Sequence, residues 1–177
     1  SFKSKKINDF LKCWSGLGYY NRAINFYKSV SIINENFKGI LPEDKNELLN
    51  LPGIGEYTAN AIVAIGYNKR AFPIDVNVKR LISRLINKSL TDQQVSEILY
   101  KVTLKKRNFR KFAESMMDYS SSICKKNYPQ CQECIFQSYC KSAFKKFIPL
   151  KKKKILSKNI NFYLIETKNN INAYKIG

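Results

Sequence analysis

Four cysteines lie within one short stretch, at Cys124, Cys131, Cys134 and Cys140, with the spacing C-x6-C-x2-C-x5-C. Thiolates are soft ligands that suit zinc or an iron–sulfur cluster. Little entropy is lost when sulfurs so close in sequence are brought together. Two local disulfides are the alternative, but the rest of the chain does not resemble a small secreted scaffold. The spacing therefore predicts a metal site and leaves the metal open.

A second chemical signal is the run Leu-Pro-Gly-Ile-Gly at 51–55, which separates two predicted helices. Gly53 and Gly55 permit positive φ and the close approach of a phosphate. The exposed N–H groups that open the following helix can then receive that anion, without regard to base sequence. A plain turn between packed helices is the alternative interpretation.

Asp75 opens a third predicted helix, after the extended run Phe72-Pro73-Ile74. Most aspartates at such positions are N-caps. The helix dipole also favours an ionised carboxylate there, and such a group can stabilise the positive charge that develops on a sugar carbon as a glycosidic bond breaks. The residues alone do not choose between cap and catalyst.

Apolar residues at helical spacing predict the elements that position these groups. We expect helices around 7–14, 23–30, 57–66, 78–86, 91–102 and 109–116. A short helix after Pro42 should carry Glu43 and Asp44 in its first turn. Thr91 with Gln94 predicts a capping box, and Cys13 is expected to be a buried apolar residue. The first 141 residues thus read as an all-α core.

The character of the chain changes after the cysteine-rich loop at 124–140. Residues 142–158 read as a basic linker that includes the lysine run 151–154. Segments 160–167 and 171–176 read as two strands joined at Asn169-Asn170. Since a lone hairpin is not stable by itself, we expect 159–177 to be the start of a second, β-containing domain.

Composition points to a polyanionic partner. The chain has 177 residues, and 32 Lys and Arg against 13 Asp and Glu give a net charge of +19. Nucleic acid is the leading candidate, although a lysine-rich surface could also reflect an AT-rich genome. No apolar run is long enough for a membrane span, and no secretory signal is visible. Histidine is absent, which excludes imidazole catalysis within this segment.

Several runs, taken together and in order, resemble the adenine DNA glycosylases of the MutY family. These runs are WSGLGYYNRA at 14–23, LPGIGEYTA at 51–59, DVNVKR at 75–80, MMD at 116–118 and the four cysteines. The likeness is close over about residues 10–145. It implies a helix-hairpin-helix glycosylase core with the hairpin motif at about 43–66, and a 4Fe-4S cluster on the four cysteines in preference to zinc. The family flips adenine out of DNA opposite 8-oxoguanine or guanine and hydrolyses its N-glycosidic bond.

The resemblance also implies roles for individual residues. Asp75 is the catalytic carboxylate, Asn77 supports it, and Tyr57 replaces the Schiff-base lysine of lyases, which indicates a monofunctional enzyme. Tyr19 matches an aromatic wedge beside the damaged guanine. The residues expected to contact DNA are Gly53, Ile54, Gly55, Tyr19, Tyr20, Lys79, Lys125 and Lys126. The partner is double-stranded DNA with A:8-oxoguanine or A:G mispairs, and the protein is expected to be a monomer in the bacterial cytoplasm, at the nucleoid.

Two departures from the family pattern bear on activity. Val76 stands where the family has glycine, next to Asp75, and could shift the backbone there. The family's general-acid glutamate lies upstream of anything that resembles Ser1, so we expect a chain cut at both ends, with 159–177 opening a Nudix-like 8-oxoguanine-recognition domain. The isolated 177 residues should bind DNA weakly, with little base excision. The alternatives are a non-catalytic DNA-binding remnant, an endonuclease III-like glycosylase-lyase and a zinc-stapled DNA-binding module.

Overall fold

The computed structural model describes residues 6–103 and 108–145, and the backbone of 161–167 and 170–176. The chain divides into two compact units, Ser1–Lys146 and Phe147–Gly177. Every regular element described in the first unit is helical, as the sequence predicts. None of the helices in the described segments is long and apolar enough to cross a membrane.

Seven α-helices form the framework of the first unit. Their bounds are α1 Ile7–Cys13, α2 Tyr20–Asn36, α3 Lys45–Leu49, α4 Glu56–Ala61, α5 Val76–Ile86, α6 Asp92–Val102 and α7 Phe109–Ser122. A π-helical turn, Ile62–Gly66, continues α4. Two short 3-10 turns, Cys131–Glu133 and Gln137–Tyr139, lie within the cysteine-rich loop.

The first hydrophobic core surrounds the hairpin between α3 and α4. Leu48 and Ala59, one from each helix, have no exposed surface. Ala113 of α7 belongs to the same core. The π-helical turn packs against α7, and Arg110 at the start of α7 donates to the carbonyl oxygens of Ile65 and Gly66. These carbonyl groups lie at the end of the helical segment, where a helix has no internal donor for them. The predicted single helix over 57–66 is divided into an α-helix and a π-helical turn.

The second core holds α5 in place. Val78 and Ile82 of α5 pack with Val95 and Leu99 of α6, as the helical spacing of these residues predicts. Thr91 and Gln94 form the predicted capping box, with both reciprocal hydrogen bonds present. Because α5 packs on α6 and on α7, its first turn has a fixed position.

Two local predictions about the first unit were wrong. Cys13 is exposed, because α1 buries none of its residues and packs on α2 through aromatic side chains such as Phe10. Asp44 does not lie in the first turn of α3 but caps it, accepting from the N–H groups of Asn46 and Glu47. Glu43 therefore precedes the helix.

The second unit contains two antiparallel strands, β1 Asn161–Thr167 and β2 Asn170–Ile176. Asn170 pairs with Thr167, so it belongs to β2 and not to the predicted Asn169-Asn170 connection. Residues 146–158 of the predicted linker lie outside the described residues.

Candidate active site

Asp75 is the N-cap of α5, and its carboxylate accepts three hydrogen bonds. Oδ1 accepts from the backbone N–H groups of Asn77 at 2.9 Å and Val78 at 2.7 Å. Oδ2 accepts from the side-chain amide of Asn77 at 2.7 Å. The residue is half-buried at the tip of the helix. All three contacts are donated to the carboxylate, which is the pattern of an ionised acceptor at the positive end of a helix.

A second layer of hydrogen bonds fixes the orientation of Asn77. Arg80, one turn further along α5, donates through Nη1 to Oδ1 of Asn77 at 2.9 Å. Since arginine can only donate, the amide oxygen must face Arg80 and the NH2 group must face Asp75. Arg80 is itself held by the carbonyl oxygens of Ser120 and Cys124, at 2.9 Å and 2.7 Å. The carboxylate is thus linked to the end of α7 and the first cysteine.

Arg80 was missed as a site residue by sequence reasoning. It lies only in the quoted run at 75–80, although its position three residues after Asn77 places the two side chains on one helix face. Burial lowers the pKa of the Arg80 guanidinium, whereas the Cys124 thiol raises it. The side chain remains a cation at neutral pH.

Val76 does not displace the carboxylate. Both backbone hydrogen bonds of the Asp75 cap are intact, and the Val76 side chain is 76% exposed at the first position of α5. The expected backbone disturbance from the β-branched residue is therefore absent.

Tyr57 lies at the second residue of α4 with 41% of its surface exposed. Its hydroxyl group is 4.0 Å from Sδ of Met117 on α7. The same helix packs on α5 and supplies the Ser120 carbonyl that holds Arg80. Tyr57 and the Asp75 assembly are therefore both supported by α7.

The two glycines of the hairpin at 51–55 differ in backbone conformation: Gly53 is left-handed and Gly55 is extended. Gly53 has φ +79°, and a Cβ atom there would lie 2.8 Å from Cβ of Asn25 on α2. Gly55 has φ −97°, and nothing lies within 4 Å of its missing Cβ, so the hairpin adopts the permitted positive φ only at Gly53. Ser29 of α2 donates to the Pro52 carbonyl at 2.7 Å. Ile54 is partly buried against the first core.

Tyr19 and Tyr20 stand where the chain enters α2. Tyr19 is 75% exposed, has φ +51° and lies beneath Arg22, whose guanidinium carbon is 4.8 Å from the ring centroid. Tyr20 is 49% exposed. Gly18 before them has φ +68°, and its carbonyl accepts from the Trp14 indole at 2.9 Å. The bend presents both aromatic rings at the surface.

The predicted DNA-contacting lysines differ in their surroundings. Lys79 forms an ion pair with Asp92 at 2.7 Å. Lys125 and Lys126 are exposed at the start of the cysteine-rich loop, where their carbonyl oxygens accept from Arg84. The loop backbone is therefore fixed while its two ammonium groups reach solvent.

The four cysteines of the loop lie close enough to interact electrostatically. Burial raises the pKa of the Cys140 thiol, and the charges of Cys124, Cys134 and Cys131 raise it further. Burial raises the pKa of Tyr119 to about 12, and a hydrogen bond with Cys134 adds to that shift. Within the described segments, no three His, Cys, Asp or Glu side chains are arranged around a point that would suit a single metal ion.

Comparison with known proteins agrees with this geometry. The helix-hairpin-helix motif family matches residues 36–65, which contain α3, the hairpin and α4. Adenine DNA glycosylases of Buchnera aphidicola from Acyrthosiphon pisum and from Schizaphis graminum are 38% and 37% identical, over 93% and 96% of this chain. The chain spans about half the length of these relatives, 50% and 52%. An endonuclease III of Thermotoga maritima is 32% identical over 78% of the chain and 64% of its own length.

Two solved structures have the same fold. An endonuclease III trapped as a covalent DNA intermediate, in an estranged-adenine complex, superposes with a TM-score of 0.63 at 25% identity, covering 80% of this chain and 68% of that one. A thermostable thymine-DNA glycosylase gives a TM-score of 0.68 at 24% identity, with 79% and 67% covered.

The helical core and the hairpin give the chain the fold of the helix-hairpin-helix, endonuclease III superfamily. Within that superfamily, the sequence likeness to the Buchnera enzymes is higher than to the endonuclease III of Thermotoga. Adenine DNA glycosylases are thus homologues of this protein, at 37–38% identity over more than nine-tenths of the chain.

Proposed function

We propose that the protein is a base-excision-repair enzyme that hydrolyses the N-glycosidic bond of adenine paired with 8-oxoguanine or guanine in double-stranded DNA. The observation that carries this proposal is the Asp75 carboxylate, which is oriented by three donors yet half-exposed at a helix tip. An ordinary buried cap would have no access to a substrate. The family relationship supports adenine as the base.

The chemistry assigned to Asp75 is stabilisation of positive charge. As the C1′–N9 bond breaks, its electron pair leaves with adenine and the sugar becomes oxocarbenium-like. A carboxylate already fixed beside that carbon lowers the barrier without having to reorganise. Water then adds its oxygen to C1′ and loses one proton, and adenine gains one proton from a general acid. By family resemblance, that acid is a glutamate upstream of Ser1.

The other predicted residues bind and position the DNA. The hairpin at 51–55 receives a phosphate, and Tyr19 and Tyr20 stack on bases beside the extruded nucleotide. Lys125 and Lys126 contact the backbone from the cysteine-rich loop. Lys79 joins them when phosphate competes with Asp92 for its ammonium group.

Tyr57 argues against a lyase. A phenol cannot form the imine through which a glycosylase-lyase cleaves the strand. Borohydride treatment during the reaction should therefore trap no covalent adduct between protein and DNA. We infer a monofunctional hydrolase that acts as a monomer.

Four thiols fit a 4Fe-4S cluster held by Cys124, Cys131, Cys134 and Cys140. Thiolates are its usual ligands. Zinc would take the same four ligands, and the likeness to adenine DNA glycosylases is what favours the cluster. The bound cluster would cross-link the loop and hold its lysines in place. Residues 159–177, which include β1 and β2, are proposed to open a Nudix-like domain that recognises 8-oxoguanine, with 142–158 as its basic linker.

A single-turnover excision assay on an A:8-oxoguanine duplex tests the proposed role of Asp75 in the whole protein. Asp75→Asn retains an N-capping side chain but removes the charge, so stability should change little while excision slows on the order of 10³-fold. Asp44→Asn is the matched control, because Asp44 caps α3 through the same two backbone contacts. Excision by the Asp75→Asn variant at the wild-type rate would refute the catalytic role. A wild-type protein that binds the duplex but excises nothing would be the non-catalytic remnant.

A further inference from the structure

Arg84 connects the last turn of α5 to the start of the cysteine-rich loop. The residue is only 6% exposed. Its Nη1 atom lies 3.4 Å from Sγ of Cys124 and 2.7 Å from the carbonyl oxygen of Lys125. Its Nη2 atom donates to the carbonyl oxygen of Lys126 at 2.8 Å. One planar guanidinium thus holds both a cysteine sulfur and the backbone turn that follows it.

The end of the same loop is anchored to the same part of α5. The thiol of Cys140 lies 3.5 Å from the backbone carbonyl oxygen of Arg84. Lys141 donates its N–H to the carbonyl of Leu85 at 3.0 Å. Ser142 and Asn87 are joined through their side chains at 2.9 Å. The first and last cysteines of the loop are therefore positioned by one helix end.

A buried guanidinium next to a thiol affects more than geometry. An arginine donates in a rigid fork and keeps its charge when buried, so it is costly to bury without acceptors and strongly oriented when it has them. Hydrogen bonds to ligand sulfurs also raise the reduction potential of an iron–sulfur cluster, because they stabilise its more negative state.

We propose that Arg84 is a positioning residue for the cluster. It fixes Cys124 and the Lys125–Lys126 turn so that the loop is arranged before iron binds, and it sets the potential of the bound cluster. This inference rests on the proposed cluster at the four cysteines. It gives Arg84 a part separate from that of Arg80, which also interacts with Cys124 but links it to Asn77 and to the Ser120 carbonyl.

The test compares three variants of the cluster-containing whole protein. Arg84→Gln removes the charge and the fork, Arg84→Lys retains the charge but cannot span all three acceptors, and Arg110→Gln is the control. Arg110 also donates to two backbone carbonyls. It lies at the start of α7, about 18 Å along the helix axis from the end that leads into the cysteine-rich loop. The readouts are iron per protein, the rate at which the cluster's visible absorbance is lost to a chelator, and the cluster's reduction potential on an electrode.

Arg84→Gln should lose its cluster about 10- to 100-fold faster than the wild type, and its potential should shift to a more negative value. Arg84→Lys should lose the cluster faster than the wild type, with a smaller shift in potential. Arg110→Gln should match the wild type in both. Loss rates and potentials of Arg84→Gln that equal those of the wild type would overturn the inference. If Arg84→Gln does not fold, a wild-type loss rate in Arg84→Lys overturns it alone.

The result also separates this inference from the proposal beneath it. A wild-type protein that purifies without iron and takes up zinc refutes the cluster, and the role of Arg84 falls with it. A wild type with a full cluster, together with unaffected Arg84 variants, refutes only the role of Arg84.

Discussion

Replacing Gly53 with alanine should destabilise the helical unit strongly, while the same change at Gly55 should not. The two glycines stand two residues apart in one hairpin. Gly53 has φ +79°, and its missing Cβ would lie 2.8 Å from Cβ of Asn25. Gly55 has an extended backbone, and nothing lies within 4 Å of the corresponding position. The hairpin therefore contains its own matched control.

The expected magnitude for Gly53→Ala has two parts. A left-handed conformation costs an alanine about 1–2 kcal/mol relative to glycine. Forcing Cβ against the backbone-anchored Cβ of Asn25 adds about 1–3 kcal/mol, as in an overpacked core. The free energy of unfolding should therefore fall by about 2–5 kcal/mol. Gly55→Ala should leave it unchanged or raise it by up to about 1 kcal/mol, because alanine restricts the unfolded chain.

Urea denaturation followed by circular dichroism measures both variants. Asn25→Gly separates the two parts of the Gly53 effect, because it removes the opposing Cβ at a cost on the order of 0.5 kcal/mol in α2. In the Gly53→Ala/Asn25→Gly double variant, about 1–3 kcal/mol should be recovered as coupling energy. The remaining loss is the backbone strain, which no change at Asn25 relieves.

Equal stabilities for the Gly53→Ala and Gly55→Ala variants would refute this reasoning. A Gly53→Ala variant as stable as the wild type would mean that α2 does not press on the hairpin. The same pair also addresses DNA binding. If a phosphate approaches the hairpin closely, Gly55→Ala should weaken DNA binding despite its unchanged stability.

Three further substitutions test other contacts of the site. Arg80→Met leaves two carbonyl groups and an amide without their donor, so it should lower the free energy of unfolding by about 2–4 kcal/mol and slow single-turnover excision; an unaffected excision rate would contradict the link to Asp75. Ser29→Ala removes the donor to the Pro52 carbonyl and should cost about 1–2 kcal/mol in urea denaturation, which a carbonyl open to water would not show. Asp92→Asn releases Lys79 and should tighten DNA binding about two- to fivefold at low salt, with the gain disappearing at high salt; a gain that persists at high salt would exclude this electrostatic cause.

Much of the fold could be predicted because the sequence patterns are local. The apolar spacing in α5 and the Thr91–Gln94 box depend on neighbours three or four residues apart, and both are present as predicted. The π-helical turn could not be predicted in this way. The donor that satisfies its last two carbonyls, those of Ile65 and Gly66, is Arg110, more than forty residues later in the chain.

The residues of the candidate site also differ in how far they could be predicted from local sequence. Residue type and order singled out Asp75, Asn77 and the four cysteines, because each has chemistry that few other residues could supply. The sequence did not indicate Arg80 and Arg84 as site residues. Their acceptors are a side-chain oxygen, a sulfur and backbone carbonyls that only folding brings within reach. The chain has only six arginines among its 32 basic residues, but residue type alone does not tell which of them fold inward.

The helix cap observed at Asp75 does not exclude the catalytic role proposed for it. Asp44 and Asp75 cap their helices through the same two backbone N–H groups. Asp75 alone of the two also accepts the amide of Asn77, which Arg80 holds in one orientation. The backbone N–H groups of the cap position Oδ1, and the Asn77 amide positions Oδ2. The proposed reaction at a sugar carbon uses a carboxylate that is already oriented before the substrate arrives. Helix capping provides half of that orientation, and the Asn77–Arg80 contact provides the other half.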